Sequence, residues 1–115
     1  KRVIELTSKK GEAPMKILTP DTHDNALNAA GTVVFDFSSP GCAPCRKVPA
    51  LLESVINELS LQDIEIFEIN VSESPELASR YMVLSVPTLI IFRNGTEIAR
   101  FHSLPSRSRL RDALQ

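Results

Sequence analysis

The residues able to do chemistry are concentrated in Ser38-Ser39-Pro40-Gly41-Cys42-Ala43-Pro44-Cys45-Arg46, which holds both cysteines of the chain. An apolar run, Val33-Val34-Phe35-Asp36-Phe37, leads in, and a helix-period run from Val48 to Leu59 leads out. A Cys-x-x-Cys at a strand-to-helix junction in an α/β pattern reads as a dithiol/disulfide redox centre. Zinc is the competing use of such a pair. With no further cysteine, and His23 and His102 as the only histidines, a metal site would need a second chain or both distant histidines. A purely structural bridge is a poor alternative, because closing so short a loop constrains the unfolded chain little.

The surrounding elements must position these thiols. Met15 to Leu18 reads as a short strand, and Thr19-Pro20-Asp21 as the start of a helix running to Ala30, with Gly31 as its stop. Thr32 to Phe37 has the continuous apolar character of a central strand. Its exception, Asp36, either loses solvation, which raises its pKa, or sits at a strand end and reaches water. Val48, Leu51, Leu52, Val55, Ile56 and Leu59 recur on one helical face, with Pro49 inside the run expected to bend the helix. Ile64 to Val71 reads as a strand carrying Glu68, and Ser74-Pro75-Glu76 as a capped helix start reaching about Tyr81. After Val86-Pro87 comes a strand from Thr88 to Phe92, an Asn94-Gly95 hairpin turn and a return strand to about Phe101. Ser106 to Leu114 reads as a final helix with Leu110, Ala113 and Leu114 inward. The order is β-α-β-α-β-α-β-β-α, an α/β domain with parallel pairs and a terminal hairpin.

Composition narrows the classes. At 115 residues, 43% hydrophobic and 23% charged, the chain suits one globular domain with a single core. A formal net charge of -1 gives no reason to expect nucleic acid or anionic lipid as a partner. No apolar run is long enough to span a bilayer. Lys1-Arg2-Val3-Ile4-Glu5 does not read as a signal peptide, because charge interrupts its apolar stretch, although a start at Lys1 leaves an upstream segment open. Residues 1–14 read as an N-terminal extension, either loosely held or adding Val3 to Thr7 as an edge strand, ahead of a domain at 15–115.

From about Met15 to Leu114 the chain resembles the thioredoxin family. The resemblance rests on Asp36 with Cys42-Ala43-Pro44-Cys45, on Asn70 and Pro75, on Val86-Pro87-Thr88 and on Asn94-Gly95. It implies a thioredoxin fold, a central mixed sheet flanked by helices. It also implies a protein-disulfide reductase that works by dithiol exchange without a metal or bound cofactor, the Cys42–Cys45 disulfide being the redox group. Cys42, at a helix N-terminus, would attack, and Cys45 would resolve the mixed disulfide. Asp36 would assist deprotonation of Cys45. The Val86-Pro87 bond would be cis, with Val86 pairing to an extended substrate segment. The partners implied are protein disulfides and a thioredoxin reductase, and the implied setting is a cytoplasmic monomer.

Departures from the family pattern mark where this chain should differ. Gly41 stands in place of the usual tryptophan and opens the substrate-facing surface around Cys42. Ala43 replaces glycine ahead of Pro44, which favours the helical start by at most about 1 kcal/mol. Pro49 lies one residue nearer Cys45 than the family proline. Glu68 falls where a lysine usually faces the buried acid. If Glu68 points at Asp36, repulsion at about 5 Å is roughly 3 kcal/mol at an effective dielectric near 20, and the pair titrates together. The alternative is Glu68 turned to solvent. His102 replaces a glycine beside the active site, where it narrows the groove or is a surface histidine without a role. These changes leave room for a disulfide oxidant or isomerase, or for a reductase dedicated to one partner. A non-catalytic binding module is the remaining reading.

Overall fold

The computed structural model describes residues 15–115, so the expected strand at Val3 to Thr7 lies outside the described residues. Strands β1 (Met15–Ile17), β2 (Thr32–Ser38), β3 (Ile64–Asn70), β4 (Thr88–Arg93) and β5 (Thr96–Phe101) form one sheet in the order β1-β3-β2-β4-β5. The pairs β1–β3 and β2–β3 are parallel, while β2–β4 and β4–β5 are antiparallel. Helices α1 (Val48–Leu59), α2 (Pro75–Arg80) and α3 (Arg107–Leu114) and two 3-10 segments, Pro20–Asn28 and Pro44–Lys47, complete the fold.

The two-residue alternation of side chains along each strand sends apolar groups to both faces of the sheet. On one face, Val34, Ile66, Leu89 and Ile91 pack with Val48, Leu52 and Val55 of α1 and with Leu110 and Leu114 of α3. On the other, Val33, Phe35, Phe37, Ile69, Ile90 and Phe92 pack with Ala26 and Leu77. Burial on both faces explains why β2 and β4 read as continuous apolar runs. The hairpin turn places Asn94 at φ 52° and Gly95 at φ 84°, the left-handed pair that a tight two-residue turn requires.

Four expectations change in detail. The first helix is a 3-10 segment ending at Asn28, not an α-helix reaching Ala30. Its Asp, Thr and Asn side chains compete for backbone groups, and the Thr22 hydroxyl accepts from the Thr19 N–H at 3.2 Å. Gly31 is not a left-handed stop. A Cβ there would lie 2.6 Å from Asp63 Oδ2, which accepts the Gly31 N–H at 3.0 Å, so glycine permits that close approach. Pro49 does not bend the helix mid-run. The segment ahead of it is 3-10 through Lys47, so α1 begins at Val48 and Pro49 lies in the first turn, where its missing N–H has no intrahelical partner to lose. Ser74 precedes α2 but makes no side-chain cap. Asn70 organises that turn instead, its side-chain oxygen accepting from Ser72 N at 2.8 Å and Glu73 N at 3.3 Å.

Candidate active site

The sheet topology delivers the candidate residues to one end of the molecule. β2 and β3 run in the same direction and finish at Ser38 and Asn70. β4 runs the opposite way, so its entry through Val86-Pro87 lies at that same end, and β5 returns to it at Phe101, just before His102. Functional groups outside the carboxyl ends of parallel strands are a general feature of such sheets.

Cys42 and Cys45 are joined in a disulfide with their Cα atoms 5.3 Å apart. The two sulfurs differ in environment. Cys45 is buried and Cys42 is partly exposed. The Cys45 N–H donates to Cys42 Sγ at 3.2 Å, and the 3-10 segment that opens at Pro44 continues directly into α1. A backbone donor at a helix start lowers the cost of negative charge on that sulfur. Gly41 adopts φ 79°, and a Cβ there would meet nothing within 4 Å. The tryptophan of the family pattern is thus replaced by a residue suited to left-handed backbone, in open space. Ala43 and Pro44 form the helical start, Ala43 with φ -62° and Pro44 as its first residue.

Asp36 shares a strand face with Val34, and Val34 packs under Val48 and Leu52 of α1. Its side chain therefore points beneath the helix into which Cys45 leads. Asp36 is 1% exposed, and its Oδ1 is buried without a hydrogen-bond partner. Burial first, and the negative charge of Glu68 second, push its carboxyl up to about 7. Glu68 is directly across from Asp36 in the β2–β3 register, on the face shared with Ile66. It is not turned fully to solvent: it is half-buried and accepts the Ser38 hydroxyl at 3.1 Å. A cleft of about 370 Å³ is lined by Ser38, Ser39, Cys45, Arg46, Pro49 and Glu68. Cys45 and Glu68 thus border the same open space.

The Val86-Pro87 peptide bond is cis. Thr88 Oγ1 donates to the Ser85 carbonyl at 2.7 Å, and Ser85 Oγ donates to the His102 carbonyl at 3.2 Å. These bonds tie the Val86-Pro87 segment to the loop after β5, so His102 stands beside it with an exposed side chain. Ser38 and Arg46 lie at the ends of the cysteine-bearing stretch but were given no role of their own by sequence reasoning, and Ser85 was not singled out. Ser38 carried a signal, since it lies two residues beyond Asp36 on the same strand face; Ser85 carried none. His23 is not part of this end. It is buried on the opposite face of the sheet, bonded through Nε2 to the Tyr81 hydroxyl and packed near Phe35. Among the described residues, no group of three or more His, Cys, Asp or Glu side chains is placed to hold a metal ion. No described helix is long and apolar enough to cross a membrane.

Comparisons with known proteins agree with this geometry. A family model described as Thioredoxin matches residues 14–115. The chain is 37% identical over 93 residues to a thioredoxin of Chlamydia pneumoniae, covering 81% of this chain and 88% of that protein. It is 30% identical over 95 residues to a thioredoxin of Mycobacterium bovis, covering 83% and 81%. Among solved structures, a point-mutant thioredoxin from Halobacterium salinarum superposes with a TM-score of 0.73 at 26% identity, covering 92% of this chain and 90% of that one.

Proposed function

The chain belongs to the thioredoxin family and is a dithiol–disulfide oxidoreductase with protein-disulfide reductase activity; from that premise we propose how its residues divide the work. Cys42 is the attacking thiolate. It opens the substrate disulfide and forms a mixed disulfide while the first substrate thiol leaves. Cys45 is the resolving thiol. It attacks Cys42 Sγ, forms the Cys42–Cys45 bond and expels the second substrate thiol. Two electrons pass from the dithiol to the substrate disulfide, and no cofactor beyond the cysteine pair takes part. Asp36 is the base for Cys45, suited to the task by a carboxyl held at about 7.

The observation that carries this division is the asymmetry of the pair: Cys42 is partly exposed and receives the Cys45 N–H, whereas Cys45 is buried. Val86, Pro87, Gly41 and His102 form the substrate-binding rim, with the Val86 backbone pairing to an extended substrate strand. Ala43, Pro44 and Glu68 tune the pair, the first two through the helical start and the third through charge. The reduced state is restored by a thioredoxin reductase. The protein acts as a monomer in the cytoplasm, through a catalytic domain spanning residues 15–115, with residues 1–14 as an appendage to it. Family membership supports disulfide substrates and a reductase in general. The test is a trap: Cys45→Ser accumulates a covalent mixed disulfide with an oxidised protein substrate, and Cys42→Ser accumulates none. A stable adduct on Cys45 in the Cys42→Ser protein, with none on Cys42 in the Cys45→Ser protein, reverses the assignment.

A further inference from the structure

A base that takes a proton from Cys45 as the disulfide forms either keeps it until Cys45 is reduced again or exchanges it with water. Asp36 is poorly placed to make that exchange alone. It is 1% exposed, its Oδ1 is sealed, and it lines neither of the clefts that flank the site. Glu68 is the residue with access to both sides of that barrier. It lies across the strand pair from Asp36, it is only half-buried, and it borders the cleft that Cys45 lines. It also borders a second cleft of about 320 Å³ that reaches Asn70 and Glu73. Ser38 is common to both clefts, and its hydroxyl holds one Glu68 oxygen.

We propose that Glu68 is the proton-exchange residue of this dithiol centre, passing protons between Asp36 and solvent under the orientation of Ser38. The inference rests on the assignment of Asp36 as base for Cys45. In the resolving step the Cys45 thiol gives its proton to the Asp36 carboxylate, and the thiolate attacks Cys42 Sγ. The Cys42–substrate bond breaks, the substrate leaves as a thiolate, and water protonates it. Asp36 then passes its proton to the Glu68 carboxylate, which releases it into the cleft. No oxidant or reductant beyond dithiol and disulfide is needed.

The charged surroundings are compatible with this route. β4 contributes only Leu89 opposite Asp36, and β1 contributes Ile17 opposite Glu68. Lys16 on β1 is engaged with Glu65 at 3.2 Å, away from the pair. Arg46 is the cation bordering the Cys45 cleft, and Glu73 is the acid bordering the second. Among the described residues no ion pair to a lysine holds Asp36 charged.

The experiment follows release of the leaving thiol from a Cys42 mixed disulfide formed at about pH 5, where Asp36 holds its proton and must lose it before Cys45 can react, after a jump to about pH 8 at low or high concentrations of imidazole buffer. Asp36→Asn, Glu68→Gln and Glu68→Asp are compared with the wild type. Glu68→Gln is expected to slow release about tenfold in weak buffer, a part of the usual acid–base contribution. Added imidazole, a small diffusible proton carrier, should restore the rate, and Glu68→Asp should stay near wild type in weak buffer. A structural role for Glu68 would give no such buffer dependence. Release from Glu68→Gln that is unimpaired, or slow at every buffer concentration, overturns the relay while a slow Asp36→Asn keeps the base assignment. Wild-type release from Asp36→Asn overturns the base assignment itself.

Discussion

A carboxyl titrating at about 7 makes Asp36 a liability to stability as well as a candidate base. In the unfolded chain it titrates near its ordinary 3.8, so between that pH and neutrality the folded protein holds the extra proton. Folding stability therefore falls as pH rises through this window. The gap corresponds to roughly 4 kcal/mol, all of it lost once pH exceeds the folded value. Asp36→Asn, which cannot ionise, should be the more stable protein near pH 8, with the difference shrinking toward pH 4; urea unfolding at the two pH values measures it. A constant difference across that range would mean that Asp36 is not protonated in the folded state at mildly acidic pH. The same residue shows what a sequence conveys at this scale. Its apolar neighbours Phe35 and Phe37 announced a buried acid, but they also allowed a strand end reaching water. Only the register against Glu68 and the cover of α1 decide between the two.

At the scale of elements, periodicity read well and local chemistry read less well. The strands and α1 carry apolar spacing over most of their length, so their positions were legible within a residue or so. Asn94-Gly95 was legible because few other pairs accept that turn. The first helix was misread as α because Pro20 and the apolar Ala26 and Leu27 suit either helical type, and hydrogen bonding by Thr22 is invisible to spacing. The pairing of His23 with Tyr81 was invisible for a different reason. The partners lie far apart in sequence, on the 3-10 segment and just after α2, and meet only when both elements cover Phe35. Tyr81→Phe removes the hydroxyl and leaves buried His23 Nε2 without that partner. His23 Nδ1 already lacks a hydrogen bond, with the Asp24 carboxylate 3.7 Å away, so the ring gains nothing by turning over. We expect a loss of about 1–3 kcal/mol, the usual desolvation penalty of an unsatisfied buried group, in denaturant unfolding. Cys42–Cys45 chemistry should be unaffected, because the pair leads into α1, which packs on the opposite face of the sheet.

For the whole molecule, one mixed sheet with a core on each face does two jobs. It buries β2 on both faces, and it gathers the dithiol, the cis proline segment and the loop of His102 at one end. That convergence was legible only through family resemblance, because residues as distant as Cys42 and His102 carry no local sign of proximity. The structure leaves intact the parts that define a disulfide-exchanging thioredoxin and alters their surroundings through Gly41, Ala43 and Glu68. We propose that these alterations tune the pair without reversing its direction. The most direct test is the reduction potential of the Cys42–Cys45 couple, titrated against a defined thiol–disulfide buffer. We expect a reducing couple, about -270 mV, whereas a value near -120 mV, typical of a disulfide-donating oxidant, would contradict that direction.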